Sequence, residues 1–296
     1  MKKFLYVLLF LTAALSAAEK KVLTIGNSFT WSLQRDLPAI AKAQGDQLKL
    51  SFANHGGCSF DRHWKYVSEE EAQKETRHYR LGKKRAKLRE VLASDKWDIV
   101  TIQQASPKSW IKGSFYPEAA FLVNYVRKHA PGAEIVLQQT WSYRSDAPLL
   151  KKWKISPEKM YEGICANYKE ASGRFSCRVI PAGLAVKLAY AGQTRPFVPP
   201  DTRQFKTLKE NEIPAQPGSL HKGWRWLRNK KNGGKDLRLD SIHLNDRGEY
   251  LQSCVWYGFI FKKSPLSIKY NGRGLTSEDA AFLRQCADKA LKEYRP

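Results

Sequence analysis

Five short β-branched or apolar runs, interleaved with stretches that carry helix signals, constrain this chain more than any other feature. The runs are Val22 to Ile25, Leu48 to Ala53, Trp97 to Ile102, Ala133 to Gln138 and Arg178 to Pro181. Their length and β-branched content read as buried strands. Between and after them, helices are predicted from Thr30, as cap, to about Gln44, then over Lys87–Leu92, Tyr116–His129 and Pro157–Ala171. Two more follow: one opened by the capping-box-like pair Asp246 and Glu249 and running to about Phe261, and one over Thr276–Tyr294. Strands alternating with helices predict a parallel sheet covered on both faces, and right-handed crossovers make it a three-layer α/β/α sandwich with a central five-stranded parallel sheet. Such folds place their sites beyond the carboxyl ends of the strands. Residues 68–84 are charged and aperiodic and read as an exposed insertion. Residues 192–238, rich in Pro, Gly, Lys, Arg and Trp, read as a long basic loop.

Residues 1–18 read as a signal peptide. Lys2 and Lys3 precede an apolar run from Phe4 to Leu15, and Ser16-Ala17-Ala18 offers the small residues of a cleavage site. The run is shorter than the roughly 20 residues that span a bilayer. The expectation is an exported, periplasmic or extracellular protein with one domain over 19–296. Cys58, Cys165, Cys177, Cys254 and Cys286 have no zinc-type spacing, and an odd number leaves at least one unpaired within a monomer. The net charge of +23 favours polyanions as partners. For an exported chain this points to an anionic polysaccharide or cell surface rather than nucleic acid. No stable membrane insertion is expected.

Two motifs fall where the fold rule puts chemistry. Gly26-Asn27-Ser28-Phe29-Thr30 follows the first strand, so the Ser28 hydroxyl stands at the sheet edge beside a helix start. Alone, this is also ordinary turn chemistry. Asp240-Ser241-Ile242-His243 precedes the helix at Asp246 in what reads as the last βα-like junction. A hydroxyl nucleophile needs a base, and the base needs an orienting carboxylate. No Gly-x-Ser-x-Gly elbow, His-Glu-x-x-His motif or phosphate-binding loop occurs. His55, Cys58 and His63 are close in sequence but fit no common metal site, and no metal is expected.

Gly26-Asn27-Ser28 resembles the first block of the SGNH (GDSL-like) hydrolases, and Asp240-Ser241-Ile242-His243 resembles their last. The order and separation fit, and the Gly-Asn-Ser-Phe-Thr form looks most like a poorly characterised branch. The resemblance implies a flavodoxin-like SGNH fold, Ser28 as nucleophile, His243 as base and Asp240 as its orienting acid, with no cofactor. It implies an oxyanion hole made by the Ser28 N–H, the N–H of Gly57 (with Gly56 as neighbour) and a third donor. The third is usually an Asn in Gly-x-Asn-Asp; here the chain reads Ile102-Gln103-Gln104-Ala105-Ser106. A Gln amide can donate the same bond, and Gln104 is taken over Gln103.

Trp224-Arg225-Trp226-Leu227-Arg228 interleaves aromatic and cationic residues near Asp240. Aromatics stack on sugars and Arg pairs with acidic groups, so Trp224, Arg225 and Arg228 are candidate substrate contacts; packing of the loop onto the core is the plain alternative. The resulting expectation is a secreted serine esterase that deacylates, or specifically deacetylates, a carbohydrate or polysaccharide. Rival readings on the same fold are a catalytically weak carbohydrate-binding protein and an acyltransferase.

Overall fold

The chain enters the sheet through β1 (Lys20–Ile25), then forms the single-turn α1 (Ser28–Trp31) and α2 (Leu33–Ala43) of a computed structural model. The structure describes residues 19–229, 231 and 233–294. The expected signal peptide, residues 1–18, and Lys230 of the basic run lie outside them. Next come β2 (Leu48–Phe52), α3 (Phe60–Ala72), a small hairpin of β3 (Tyr79–Leu81) and β4 (Lys84–Ala86), and α4 (Leu88–Leu92). Then follow β5 (Ile99–Ile102), α5 (Glu118–His129), β6 (Glu134–Gln138), α6 (Pro148–Trp153), α7 (Pro157–Phe175), β7 (Arg178–Ile180) and α8 (Ala182–Gly192). The last third holds a 3₁₀ turn (Thr202–Thr207), a hairpin of β8 (His221–Arg228) and β9 (Lys235–Leu244), α9 (Asp246–Phe261) and α10 (Ser277–Glu293).

Five strands form one parallel sheet in the order β2-β1-β5-β6-β7. This is the doubly wound order of flavodoxin-like folds, as the sequence pattern predicts. Strands covered on both faces must be apolar throughout. Accordingly all four residues of β5 and the last four of β1 are buried. α9 is buried nearly all round, with Tyr250, Leu251, Cys254, Val255, Trp256 and Tyr257 fully excluded from solvent. It packs among α2, α8 and α10, which explains why its sequence shows no polar face. Winding to β2 on one side of β1 and to β5 on the other opens a crevice at the carboxyl end of β1, the switch point of the sheet.

Several local expectations are corrected. Asn27, not Thr30, caps the first helix: its Oδ1 accepts from the Phe29 N–H, and the Thr30 hydroxyl instead donates to the Asn27 carbonyl. α9 is capped by Asn245, which accepts from the Gly248 N–H, not by the Asp246–Glu249 pair. The charged stretch at 68–84 continues α3 to Ala72, because Phe60, His63, Val67 and Glu70 share a buried face, and then forms the β3–β4 hairpin. The basic loop is half a hairpin: β8 and β9 pair antiparallel outside the main sheet. All five cysteines are free thiols. No helix among the described residues is long and apolar enough to cross a membrane.

Candidate active site

β1 runs into Gly26, where a side chain has no room. An added Cβ would lie 2.7 Å from Thr30 Oγ1 and 3.0 Å from Gln103 Oε1. The chain then turns through Asn27, whose amide also donates to the Cys58 carbonyl and so ties this turn to the loop after β2. Ser28 opens α1 with its Oγ 2.8 Å from His243 Nε2. On the far side of the ring, His243 Nδ1 lies 2.9 and 3.1 Å from the two Asp240 oxygens. A carboxylate only accepts, so Nδ1 carries the proton and Nε2 is left to accept from the Ser28 hydroxyl. Burial pushes the Asp240 carboxyl up. The His243 ring and the backbone N–H groups of His243 and Ile242 outweigh burial and hold it well below the usual carboxylate range.

Asp240 and His243 meet because β9 is irregular. In a regular strand, residues three apart point to opposite faces. Here Leu244 pairs with His221 and Asp240 with Gly223, so Ser241, Ile242 and His243 stand opposite Lys222 alone. This bulge curls the chain around the Asp240 carboxylate and turns the imidazole to the same side. The pair thus sits at the end of β9 directly before α9, a strand-to-helix junction as expected from sequence, but on a hairpin outside the parallel sheet.

The bulge is fastened from the loop after β6. Trp141 Nε1 donates to the Ile242 carbonyl at 3.0 Å, and the Arg144 N–H donates to the Ser241 carbonyl at 3.0 Å. The Trp141 ring stacks on Phe29 with centroids 4.0 Å apart, and Phe29 meets the His243 ring edge-on at 5.9 Å. Gln252 of α9 donates to the Phe29 carbonyl and accepts from the Ser32 hydroxyl, holding α1 from beneath. Of the bracing residues, Phe29 belongs to the Gly-Asn-Ser-Phe-Thr motif, whereas Trp141, Arg144 and Gln252 are singletons from distant segments, without a motif.

One of the three expected oxyanion donors, the Gln104 amide, is engaged by other partners. Asn27 takes the N–H groups of Phe29 and Thr30. Gly57 lies in the loop after β2 with φ of 60°, in the region that favours glycine. That loop runs beside the nucleophile turn, since the His55 N–H donates to the Gly26 carbonyl. Gln104 is spent elsewhere. Its Oε1 accepts from the Phe60 and Ala105 N–H groups, and its Nε2 donates to the Ser114 carbonyl. Gln103 is the member of the pair beside Gly26, and among the described residues neither atom of its buried carboxamide has a hydrogen-bond partner.

A cleft of about 400 Å³ opens at Ser28 and His243, lined also by Trp31, Arg35, Lys222 and Arg225. Of the three predicted substrate contacts, only Arg225 is in it, with Nη2 3.4 Å from Asp240 Oδ2. Alternation along β8 puts Trp224, Trp226 and Arg228 on the opposite face from Arg225. Trp224 packs edge-on against Phe205, and Arg228 sits exposed near the tip of the hairpin, opposite Lys235. Three aromatic side chains line the cleft instead, Phe29 and Trp141, both buried, and Trp31, 38% exposed. His63 is buried between the Tyr79 hydroxyl and the Gly26 carbonyl. Among the described residues, no three His, Cys, Asp or Glu side chains are grouped to hold a metal ion.

Comparison with known proteins agrees with this architecture. A family model described as a domain of unknown function, DUF4886, matches residues 21–195 and so ends before the Asp240–His243 segment. No curated protein matches the chain. A crystal structure of a DUF4886 family protein from Bacteroides uniformis is 23% identical and shares the fold, with a TM-score of 0.71 over 93% of this chain and 96% of that one. An SGNH-hydrolase candidate from Slackia heliotrinireducens is 17% identical, with a TM-score of 0.46 over 81% of this chain and 98% of that one. A GDSL-like lipase candidate from Parabacteroides merdae is 14% identical, with a TM-score of 0.46 over 83% of this chain and 98% of that one.

Proposed function

We propose that this chain, which belongs to the DUF4886 family, is an exported serine ester hydrolase that deacylates a carbohydrate. The observation that carries the reading is the unbroken relay from Ser28 Oγ to His243 Nε2 at 2.8 Å and from His243 Nδ1 to Asp240 at 2.9 Å. His243 takes the hydroxyl proton as Ser28 Oγ attacks the ester carbonyl carbon. The tetrahedral intermediate collapses, the C–O bond to the alcohol breaks, and His243 returns the proton to the leaving oxygen. Water, deprotonated by the same nitrogen, then attacks the acyl-enzyme and frees Ser28. The Ser28 and Gly57 N–H groups and the Gln103 amide are the proposed oxyanion donors; Gln103 takes the place expected of Gln104.

A complete relay argues against a carbohydrate-binding protein without turnover. The His243 side chain is 36% exposed, so water reaches the base, which favours hydrolysis over acyl transfer. Trp31 at the cleft offers a sugar-stacking face. The test is release of acetate from p-nitrophenyl acetate and from an acetylated oligosaccharide, together with fluorophosphonate labelling located by mass spectrometry. Labelling confined to Ser28 supports the reading; turnover that survives full modification of Ser28 overturns it.

Trp141 supplies a further prediction. Trp141→Phe keeps the stack on Phe29 and removes the N–H that holds the Ile242 carbonyl. One hydrogen bond is worth about 1 kcal/mol, so kcat is expected to fall about 5- to 10-fold with KM nearly unchanged. If KM rises while kcat is unaffected, Trp141 does not position His243.

A further inference from the structure

Beside the cleft at Ser28 lies a second hollow of about 420 Å³. The two share Lys222 and Arg225 as a common wall. Each falls within the roughly 300–1,000 Å³ of small-ligand sites. The second hollow is lined by four cations, Lys222, Arg225, Arg247 and Arg273, against a single carboxylate, Asp246. That carboxylate is already bound by Arg35 at 2.7 Å. Arg247 is also committed, its guanidinium forked onto Asp279 at 2.7 and 2.8 Å. The other three are not neutralised to the same degree. Lys222 reaches Glu249 only at 3.7 Å, and Arg225 reaches Asp240 only at 3.4 Å. Arg273 is exposed and has no ion-pair partner among the described residues. Arg225 adds a more specific signal, because its Nε is buried without a hydrogen-bond acceptor. A buried donor left open costs free energy that an incoming acceptor recovers.

Resting on the esterase reading above, we infer that this second hollow is an anion subsite that binds the carboxylate of a uronic acid residue next to the acylated sugar, making acylated acidic polysaccharide the substrate class. Arg225 and Lys222 stand between the two hollows, so one oligosaccharide can present its ester to Ser28 and its carboxylate to Arg225, Lys222 and Arg273. The subsite explains cation placement that the oxyanion chemistry does not use. It also moves acid recognition from the tip of the hairpin, where Arg228 sits, to the root, where β8 begins and the triad is assembled.

Two measurements test the proposal. The first uses one acetylated oligogalacturonide in two forms, with free carboxylates and with carboxylates methyl-esterified, and reads acetate release. The wild-type protein is expected to favour the charged form at least about 10-fold in kcat/KM, with the preference shrinking as salt shortens the screening length below roughly 8 Å. Arg273→Glu, an exposed and unpaired position, is expected to abolish the preference, and Lys222→Ala to reduce it. Equal kcat/KM on the two forms in the wild type, or a preference that Arg273→Glu leaves intact, overturns the subsite. The second measurement is independent of turnover: titration calorimetry of unacetylated oligogalacturonide into Ser28→Ala and into Ser28→Ala with Arg273→Glu. Binding at least about 10-fold weaker in the double variant supports the subsite, and equal affinities reject it. If neither oligosaccharide nor p-nitrophenyl acetate is turned over, the esterase reading fails, and the calorimetry still decides whether the hollow binds the anion.

Discussion

Ser28→Ala is expected to lower kcat/KM toward p-nitrophenyl acetate by at least about 10³-fold while leaving the fold intact. The loss is large because Ser28 carries the hydroxyl that, among the described residues, is hydrogen-bonded to His243 Nε2; the residual rate comes from binding and oxyanion contacts alone. The fold survives because the side-chain contact of Ser28 is the imidazole itself, and alanine suits a first helical turn. His243→Gln is expected to cost a comparable factor. The double variant should be no worse than the worse single one, since the three side chains act as a unit. Asp240→Asn keeps the shape of the carboxylate but can present an N–H₂ to Nδ1, which drives the ring into the tautomer with its proton on Nε2, facing Ser28. A large loss in kcat with little change in KM is the expected signature. Because the His243 and Ile242 hydrogen bonds hold Asp240 below the usual carboxylate range, its orienting charge persists through the mildly acidic range. Steady-state kinetics beside circular dichroism of each variant checks the set. A Ser28→Ala protein that is folded and retains more than about a tenth of the activity would remove Ser28 from the nucleophile's role.

How much of this was legible in the sequence depends on how local each feature is. The five strands were, because a strand buried on both faces must be a continuous apolar run, and β1 and β5 are. The positions of Ser28, Asp240 and His243 were legible as motifs, but the reason the last two converge was not. It lies in a three-against-one bulge, which depends on the pairing partner β8. The Gln pair was misread for a related reason. Gln103 and Gln104 differ in which neighbours claim their amides, and the claims on Gln104 come from Ala105 beside it, from Ser114 in the following loop and from Phe60, 44 residues away. Interleaved Trp and Arg looked like one recognition strip. Once β8 is a strand, its pleat sends Trp224 and Arg225 to opposite faces, and only one of them can meet the cleft. Trp31, Arg35 and Lys222 gave no signal because each is ordinary in its own segment, and only the fold collects them at one place.

Stability is expected to fall steeply as the pH drops below about 6.5, and two fully buried histidines account for most of the slope, with His55, which burial and then Arg62 hold down to about 4, adding to it. His63 donates from Nε2 to the Gly26 carbonyl and accepts at Nδ1 from the Tyr79 hydroxyl; His221 does the same with the Ser142 carbonyl and the Tyr190 hydroxyl. Each neutral ring is fully satisfied, and both are buried. Burial is the main reason each is held down to about 3, assisted at His63 by His55 and Arg62 and at His221 by Arg144. In the unfolded chain both return to about 6.5. Between those values the unfolded state binds one more proton per histidine, so stability rises with pH across the window. It is fully present above about 6.5 and is lost as the pH falls toward 3. Each histidine contributes up to about 1.4 kcal/mol per pH unit. Two units of acidification therefore remove roughly 5 kcal/mol, comparable with the whole stability of many domains. Urea denaturation between pH 7 and pH 5 measures the slope directly. His63→Gln and His221→Gln will each lower stability at pH 7, since a core contact is disturbed, but each should also remove about a third of the pH dependence in this window, His55 supplying the remainder. A slope unchanged in the double variant would show that other groups take up the protons on unfolding.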